Sequence, residues 1–359
     1  MTLDVRGTPE SIDEHWLTAT LGAAGVAGGA TVTGVQFRGE IGTGQTGRNA
    51  RFALTWDDPT DRPASVVAKF PSADPAARAA AFANGTYIKE WFFYHDLVDT
   101  VSIRTPAIYA AHFDPEAPDF VLLMEDVSGS VQGDQIAGLS VDEAALAAEE
   151  AVGLHAPHWA NPTLAAKLGV DLSDEEKVAA VNMMYGATMG GFLDRLGHRL
   201  DADVVELVQR FAGSVGQWAL GTGSPTTLVH MDYRPDNFLF ARDPGAPPIV
   251  VVDWQTVNVG LATSDIAYLL GGCFDPDVRA SAERELVESY RRRLVATGID
   301  YDADTCWRDY RFSSLWGVAM TVIATVLAEK TERGDDMLTA MAQRHGRHAL
   351  DLDALALLE

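Results

Sequence analysis

The densest run of chemistry-bearing side chains in this 359-residue sequence is His230-Met-Asp-Tyr-Arg-Pro-Asp-Asn237. It places Asp232 five positions before Asn237, and the apolar run Ile249-Val-Val-Val252 leads into a further carboxylate, Asp253. Phosphoryl transfer needs a carboxylate beside the acceptor hydroxyl and hard oxygen ligands for Mg²⁺ on the phosphates. Asp232, Asn237 and Asp253 supply that set from the two ends of one expected hairpin, in which Phe238-Leu-Phe240 and Ile249–Val252 flank the turn Asp243-Pro-Gly-Ala-Pro-Pro248. A polar turn with structural carboxylates would use the same residue types, but further motifs precede this one in a meaningful order.

The first is Gly42-Thr-Gly-Gln-Thr-Gly47, where Gly42, Gly44 and Gly47 give the form G-x-G-x-x-G. The form suits a dinucleotide fold, in which a helix follows the glycines, or a kinase loop that joins two strands over ATP phosphates. The next segment, Arg48-Asn-Ala-Arg-Phe-Ala-Leu-Thr-Trp56, alternates and runs into Asp57-Asp-Pro59, which favours strand-loop-strand. An ordinary glycine hairpin would read the same in isolation. Lys69 adds weight: one of only five lysines, it stands in the apolar run Val66-Val-Ala-Lys69, 22 residues after Gly47. A strand lysine there would pair with the α- and β-phosphates of ATP. Glu90, in Ile88-Lys-Glu-Trp-Phe-Phe-Tyr94 on the following helix, could hold Lys69 in place, although alone it reads as a solvated helix charge.

From about Phe37 to Leu270 the chain resembles the protein-kinase-like superfamily, and within it the aminoglycoside phosphotransferase and ecdysteroid-kinase-like group. The resemblance is carried by the Gly42–Gly47 loop, Val-Ala-Lys69, Lys-Glu90-Trp-Phe-Phe-Tyr, Phe120-Val-Leu-Leu-Met-Glu-Asp-Val127, Leu154-His-Ala-Pro-His-Trp159, His230–Asn237 and Asp253-Trp-Gln255. It implies Asp232 as the catalytic aspartate, Asn237 and Asp253 as Mg²⁺ ligands, and Lys69 with Glu90 as the ion pair that positions the phosphates of ATP. It also implies that the backbone of Glu125 and Val127, after Met124, meets the adenine edge, that Arg234 touches the transferred phosphate, and that Asp265 tethers the catalytic loop. Met231 departs from the usual glycine. Gln255 replaces the glycine of Asp-Phe-Gly or the second acid of Asp-x-Asp, which bears on the substrate more than on the reaction.

The elements that must position these residues fall into two lobes, 1–127 for nucleotide binding and 128–359 for catalysis and substrate binding. The expected class is α+β, a bilobal protein-kinase-like fold. In the first lobe a helix is expected over Pro9–Leu21, strands over 31–38, 51–56, 65–70, 107–112 and 120–124, and one long helix over Pro75–Val98. Ser128–Gly133 reads as a linker, and helices are expected over Val141–His155, Glu175–Leu196, Asp203–Leu220, Pro276–Thr297 and Thr305–Glu332. His155 and His158 are separated by Pro157 and read as helix-end packing rather than as a metal pair. Trp307, Tyr310 and Trp316 suit either an aromatic wall or core.

Composition bounds the partners. The net charge is −24 from 27 basic and 51 acidic residues, which repels phosphate backbones and anionic membranes, so neither nucleic acid nor membrane is an expected partner. Two cysteines make no disulfide framework, and the first 14 residues lack the basic-then-apolar order of a secretory signal. Leu315–Ala328 is too short to span a bilayer. A cytoplasmic protein is expected. The leading function is an ATP- and Mg²⁺-dependent phosphotransferase acting on a small hydroxylated molecule, with an aminoglycoside phosphotransferase proper as the near alternative. A protein kinase is disfavoured, because only 11 residues separate Asp253 from Asp265 and leave no room for an activation segment. A nucleotide-binding pseudokinase or a nicotinamide oxidoreductase would be the readings from other classes.

Overall fold

A computed structural model describes residues 5–42, 46–170, 172–327 and 330–359. Its packing separates two units: Met1–Thr100, Thr105–Val131 and Ala241–Thr256 form the first, and Val101–Arg104, Gln132–Phe240 and Val257–Glu359 the second. Asp253 and its strand thus pack with the first unit, although the sequence reading counts them with 128–359.

In the first unit five antiparallel strands form, the central β3 and β5 from continuously apolar runs: β1 (Val32–Ile41), β2 (Gly47–Trp56), β3 (Ser65–Pro71), β4 (Ile108–Phe113) and β5 (Phe120–Glu125), in the order β1-β2-β3-β5-β4. One face, with Phe52, Val66, Ala68, Phe70, Val121 and Leu123, packs with Trp16, Leu17 and Leu21 of helix α1 (Glu14–Ala23). The helix begins later than Pro9 because Asp13 caps it, accepting the Trp16 N–H at 2.7 Å, while Pro9–Ser11 forms a separate 3₁₀ turn. β1 and β2 pair through Ile41 and Asn49, and β2 starts at Gly47 itself. The glycines therefore join two strands, and the helix that a dinucleotide fold requires after them is absent.

The long helix expected over Pro75–Val98 is broken. α2 (Pro75–Ala83) ends at Asn84, Gly85 takes φ +70°, and α3 (Thr86–Phe92) starts afresh before widening into a π turn over Phe93–Leu97. Asn-Gly is a stop signal that the apolar spacing overrode in the sequence reading. The break lets α3 present Tyr87 and Glu90, both buried, one turn apart on one face. Trp254 lies flat on Phe93, with ring centroids 3.7 Å apart. The expected hairpin forms: the Ala241 N–H donates to the Pro248 carbonyl at 3.1 Å. The expected linker is instead partly a strand, Ser130–Gln132.

The second unit is mainly helical. Its core joins Tyr185 and Phe192 of the helix Asp174–Leu196 to Phe211, to Leu315 and Val322 of Ala303–Leu327, and to Leu338 of Glu332–Asp351. The expected helix 141–155 divides into Val141–Glu150 and Val152–His155, and 203–220 divides into Ala202–Phe211 and Val215–Trp218. The helix expected to Glu332 ends at Leu327. Two short strands, Thr227–Val229 and Asn258–Gly260, pair antiparallel; the first leads straight into His230. Among the described residues, no helix is long and apolar enough to cross a membrane.

Candidate active site

In the first unit, β3 carries Lys69 inward, where its Nζ meets Glu90 at 2.8 Å and Asp253 Oδ1 at 3.0 Å. Burial works against the ammonium, but the two carboxylates outweigh it and hold its pKa above the ordinary lysine value. Glu90 is only 2% exposed, so the solvated-charge reading fails. Burial raises its pKa, and Lys69 together with the Trp254 backbone N–H offsets part of that rise. One cation faces two acids, and the surplus negative charge suits a hard cation at Asp253. Gly47 is required here: a Cβ would lie 2.9 Å from the Phe70 carbonyl and 3.3 Å from Lys69 Cε. Gly42 adopts φ +78°, a turn conformation that glycine takes without strain. Gly44 lies outside the described residues.

Thr46, at the end of the glycine turn, is held by Tyr87, which sequence reading did not single out, and by Gln255, whose contact it did not foresee. Thr46 Oγ1 donates to Gln255 Oε1 at 2.6 Å, and Gln255 Nε2 donates to Asp253 Oδ2 at 3.3 Å. The Tyr87 hydroxyl donates to the Thr46 carbonyl at 2.7 Å and itself accepts the Ser72 N–H at 3.2 Å. After β5, Glu125 gives its amide to the Ala107 carbonyl, and its carboxylate accepts the Ala107 N–H. The Val127 carbonyl accepts the Ser130 N–H. Between them, the Asp126 carboxylate is gripped by Arg51 at 2.9 Å and by the Ser65 hydroxyl at 2.6 Å, which fixes this segment to β2 and β3.

In the second unit the run His230–Asn237 is folded around Asp232. Arg234 Nε lies 3.0 Å from Asp232 Oδ1, and its other arm reaches Asp236 Oδ2 at 2.9 Å. Asn237 Nδ2 donates both to the Asp232 carbonyl at 2.8 Å and to Asp232 Oδ2 at 2.9 Å. That orientation leaves the Asn237 side-chain oxygen for a hard cation, so the donor set fits Mg²⁺. Burial would raise the Asp232 pKa, but Arg234, His230 and the hydrogen bonds from Arg234 and Asn237 hold it below the ordinary carboxylate value. Arg234, read as a phosphate contact, thus bridges two aspartates in this structure, and the trio keeps a net negative charge.

Met231 adopts φ +69°, the left-handed conformation that explains why a glycine is usual there. The fold holds it with two hydrogen bonds: its N–H donates to Asp265 Oδ1 at 2.8 Å, and its carbonyl accepts from Trp316 Nε1 at 2.9 Å. Asp265 Oδ2 accepts the His230 N–H at 2.7 Å and lies 3.1 Å from His155 Nε2, whose other nitrogen meets the Tyr290 hydroxyl at 2.7 Å. His155 is therefore a buried strut beneath the loop. Tyr310 is core, donating to Glu283 at 3.1 Å, and Trp307 lies under Arg284. Of the three aromatics, Trp316 donates to the Met231 carbonyl of the His230–Asn237 loop, and it stacks on Trp218. Asp335 and Asp336, neighbouring acids in the last long helix, are paired with Arg195 and Arg199.

The model of the ecdysteroid kinase-like family matches residues 49–300. No curated protein matches the chain. Among solved structures, the GDP complex of an aminoglycoside 2'-phosphotransferase-IIIa is similar at 18% identity, covering 95% of this chain and 99% of the other with a TM-score of 0.52. An ethanolamine kinase of Plasmodium vivax is similar at 12% identity, covering 90% and 83%, with a TM-score of 0.51. A choline kinase of Cryptosporidium parvum follows at 10% identity, 89% of each chain and a TM-score of 0.50. These likenesses show a protein-kinase-like α+β fold.

Proposed function

The chain belongs to the ecdysteroid kinase-like family, and on that premise we propose that it is an ATP- and Mg²⁺-dependent phosphotransferase whose acceptor is a hydroxyl of a small molecule. The supporting observation is the contact of Lys69 with both Glu90 and Asp253, because a strand lysine oriented by a helix glutamate beside a candidate metal carboxylate is the arrangement that phosphate positioning needs. In this reading Lys69, oriented by Glu90, engages the α- and β-phosphates, and the backbone of Glu125 and Val127 takes the adenine edge. Asp253 and Asn237 would hold Mg²⁺, which neutralises phosphate charge when bound. Asp232 orients the acceptor hydroxyl and takes its proton as the oxygen bonds to the γ-phosphorus. The β–γ bridging bond breaks in the same displacement, and ADP leaves with the electron pair.

The intact set Lys69, Glu90, Asp232, Asn237 and Asp253 argues against a pseudokinase. The short path from Asp253 into the helix Thr263–Cys273 argues against a protein kinase. A polycationic aminoglycoside would need free carboxylates for its ammonium groups, and the arginine partners of Asp335 and Asp336 favour a general hydroxylated metabolite over it. The net charge of −24 fits action without nucleic acid. An ATP-consumption screen over hydroxylated metabolites and antibiotics tests the proposal, with Asp232→Asn as control. Turnover of a small alcohol that falls about 10²–10⁴-fold in the variant, with MgATP affinity kept, is expected. Phosphorylation of peptides alone would overturn the acceptor class, and undiminished turnover in Asp232→Asn would overturn the role of that residue.

A further inference from the structure

Gln255 occupies the position where a glycine or a second acid was the expectation, and its two polar ends serve different parts of the first unit. Its amide nitrogen donates to Asp253 Oδ2 at 3.3 Å, and its amide oxygen accepts the Thr46 hydroxyl at 2.6 Å. A glycine could make neither bond. A carboxylate could accept from Thr46 but would repel Asp253. Only a neutral amide of this length joins the two.

The joined parts are those that would meet the two components of MgATP. Asp253 carries a metal-ligating carboxylate whose other oxygen is held by Lys69 at 3.0 Å. Thr46 adjoins Gly47, which packs on the Lys69 side chain, and its carbonyl is pinned to α3 by Tyr87. The same helix supplies Glu90 to Lys69, so the turn, the lysine and the metal carboxylate share one frame. A cation that drew on Asp253 Oδ2 would therefore act on the Gln255 amide, and through the 2.6 Å bond on Thr46.

Resting on the phosphotransfer reading above, we propose that Gln255 is a positioning residue that couples cation binding at Asp253 to the glycine turn, so that metal and nucleotide bind cooperatively. The coupling is the ratio of the ATP dissociation constant in EDTA to that in Mg²⁺, measured by calorimetry for the wild type, Gln255→Leu, Thr46→Val and the double variant. Each single variant should lower that ratio about threefold to tenfold, the worth of one lost hydrogen bond. ATP in EDTA should bind all four proteins alike. The double variant should match Gln255→Leu, because both changes remove the same link. Multiplicative effects, equal weakening with and without Mg²⁺, or no effect would each overturn the coupling. A wild type that binds ATP in neither condition would instead overturn the phosphotransfer reading, and this proposal with it.

Gln255→Glu gives an independent readout without nucleotide. It keeps an acceptor for Thr46 but sets a second negative charge beside Asp253, a repulsion that a divalent cation relieves. Its Tm should fall in EDTA and rise with Mg²⁺ more than that of the wild type. Equal responses in the two proteins would overturn the link between residue 255 and the cation.

Discussion

Replacing Asp265 with asparagine keeps the shape of the side chain and removes one acceptor. The carboxylate is fully buried and serves three partners: the Met231 N–H on Oδ1, and the His230 N–H and His155 Nε2 on Oδ2. An amide offers a single oxygen. If that oxygen stays on Met231, the new NH₂ faces the His230 N–H, donor against donor. The loss is one charge-assisted hydrogen bond, about 1.5–3 kcal/mol, plus the desolvation of a buried N–H, about 1–3 kcal/mol. Relaxation recovers part of this, so about 3–5 kcal/mol of second-unit stability should go. Urea unfolding followed by the fluorescence of Trp218 and Trp316 measures it. Met231 would also lose one of the two bonds that hold its left-handed backbone, so Asp232 should drift and turnover should fall while MgATP affinity stays. A variant within about 1 kcal/mol of the wild type, with unchanged turnover, would show that the charge of Asp265 does not hold the loop.

The φ of +69° at Met231 predicts that Met231→Gly is tolerated within about 1 kcal/mol, relief of strain offsetting the added chain entropy, whereas the β-branched Met231→Val should cost about 2 kcal/mol or more in the same unfolding assay. Asp253→Ala should abolish the Mg²⁺-dependent part of ATP binding, because Asn237 alone offers a neutral oxygen; unchanged MgATP affinity by calorimetry would refute the metal assignment. His345 is buried against Tyr268, neither ring nitrogen finds a hydrogen-bond partner among the described residues, and burial, then His348 and Arg344, press its pKa down to about 3. The unfolded chain accepts that proton near pH 6.5, so this contribution is full above that pH and is lost as pH falls toward 3. Between pH 7 and 5 the wild type should lose about 2 kcal/mol more than His345→Phe, and equal losses in chemical denaturation would refute the assignment.

Much of the site was legible because its chemistry sits in short runs. Asp232, Asn237 and Asp253 flank one hairpin, and Lys69 stands out in a chain poor in lysine. What joins those runs was not legible. Thr46 and Gln255 meet across 209 positions, and neither residue type signals a site. Asp126 resembles any acid after a strand until Arg51 and Ser65 close on it. Glu90 taken alone looked solvated, because helix spacing says nothing about what a neighbouring strand presents; the resemblance was what paired it with Lys69. The helix Thr263–Cys273 escaped because it is buried on nearly every side and shows no polar face to set a period. Glu332–Asp351 did carry a readable signal, a Thr331 cap and buried residues at Leu338, Met341, Ala342, His345 and Ala349.

The membership of Ala241–Thr256 in the first unit has a consequence for biosynthesis. The β-sheet emerges from the ribosome early, but the tryptophan that covers Phe93 and the aspartate that completes the Lys69 cluster follow 123 and 122 residues after Val131. At about 5–20 residues per second, the nascent first unit waits roughly 6–25 s with that aromatic face uncovered. A fragment ending at Val131 should therefore be sticky and poorly soluble, and the ordinary order of N-terminal domain first is unavailable to this chain. The first unit can close only once Thr256 has been made, 103 residues before the end of the chain.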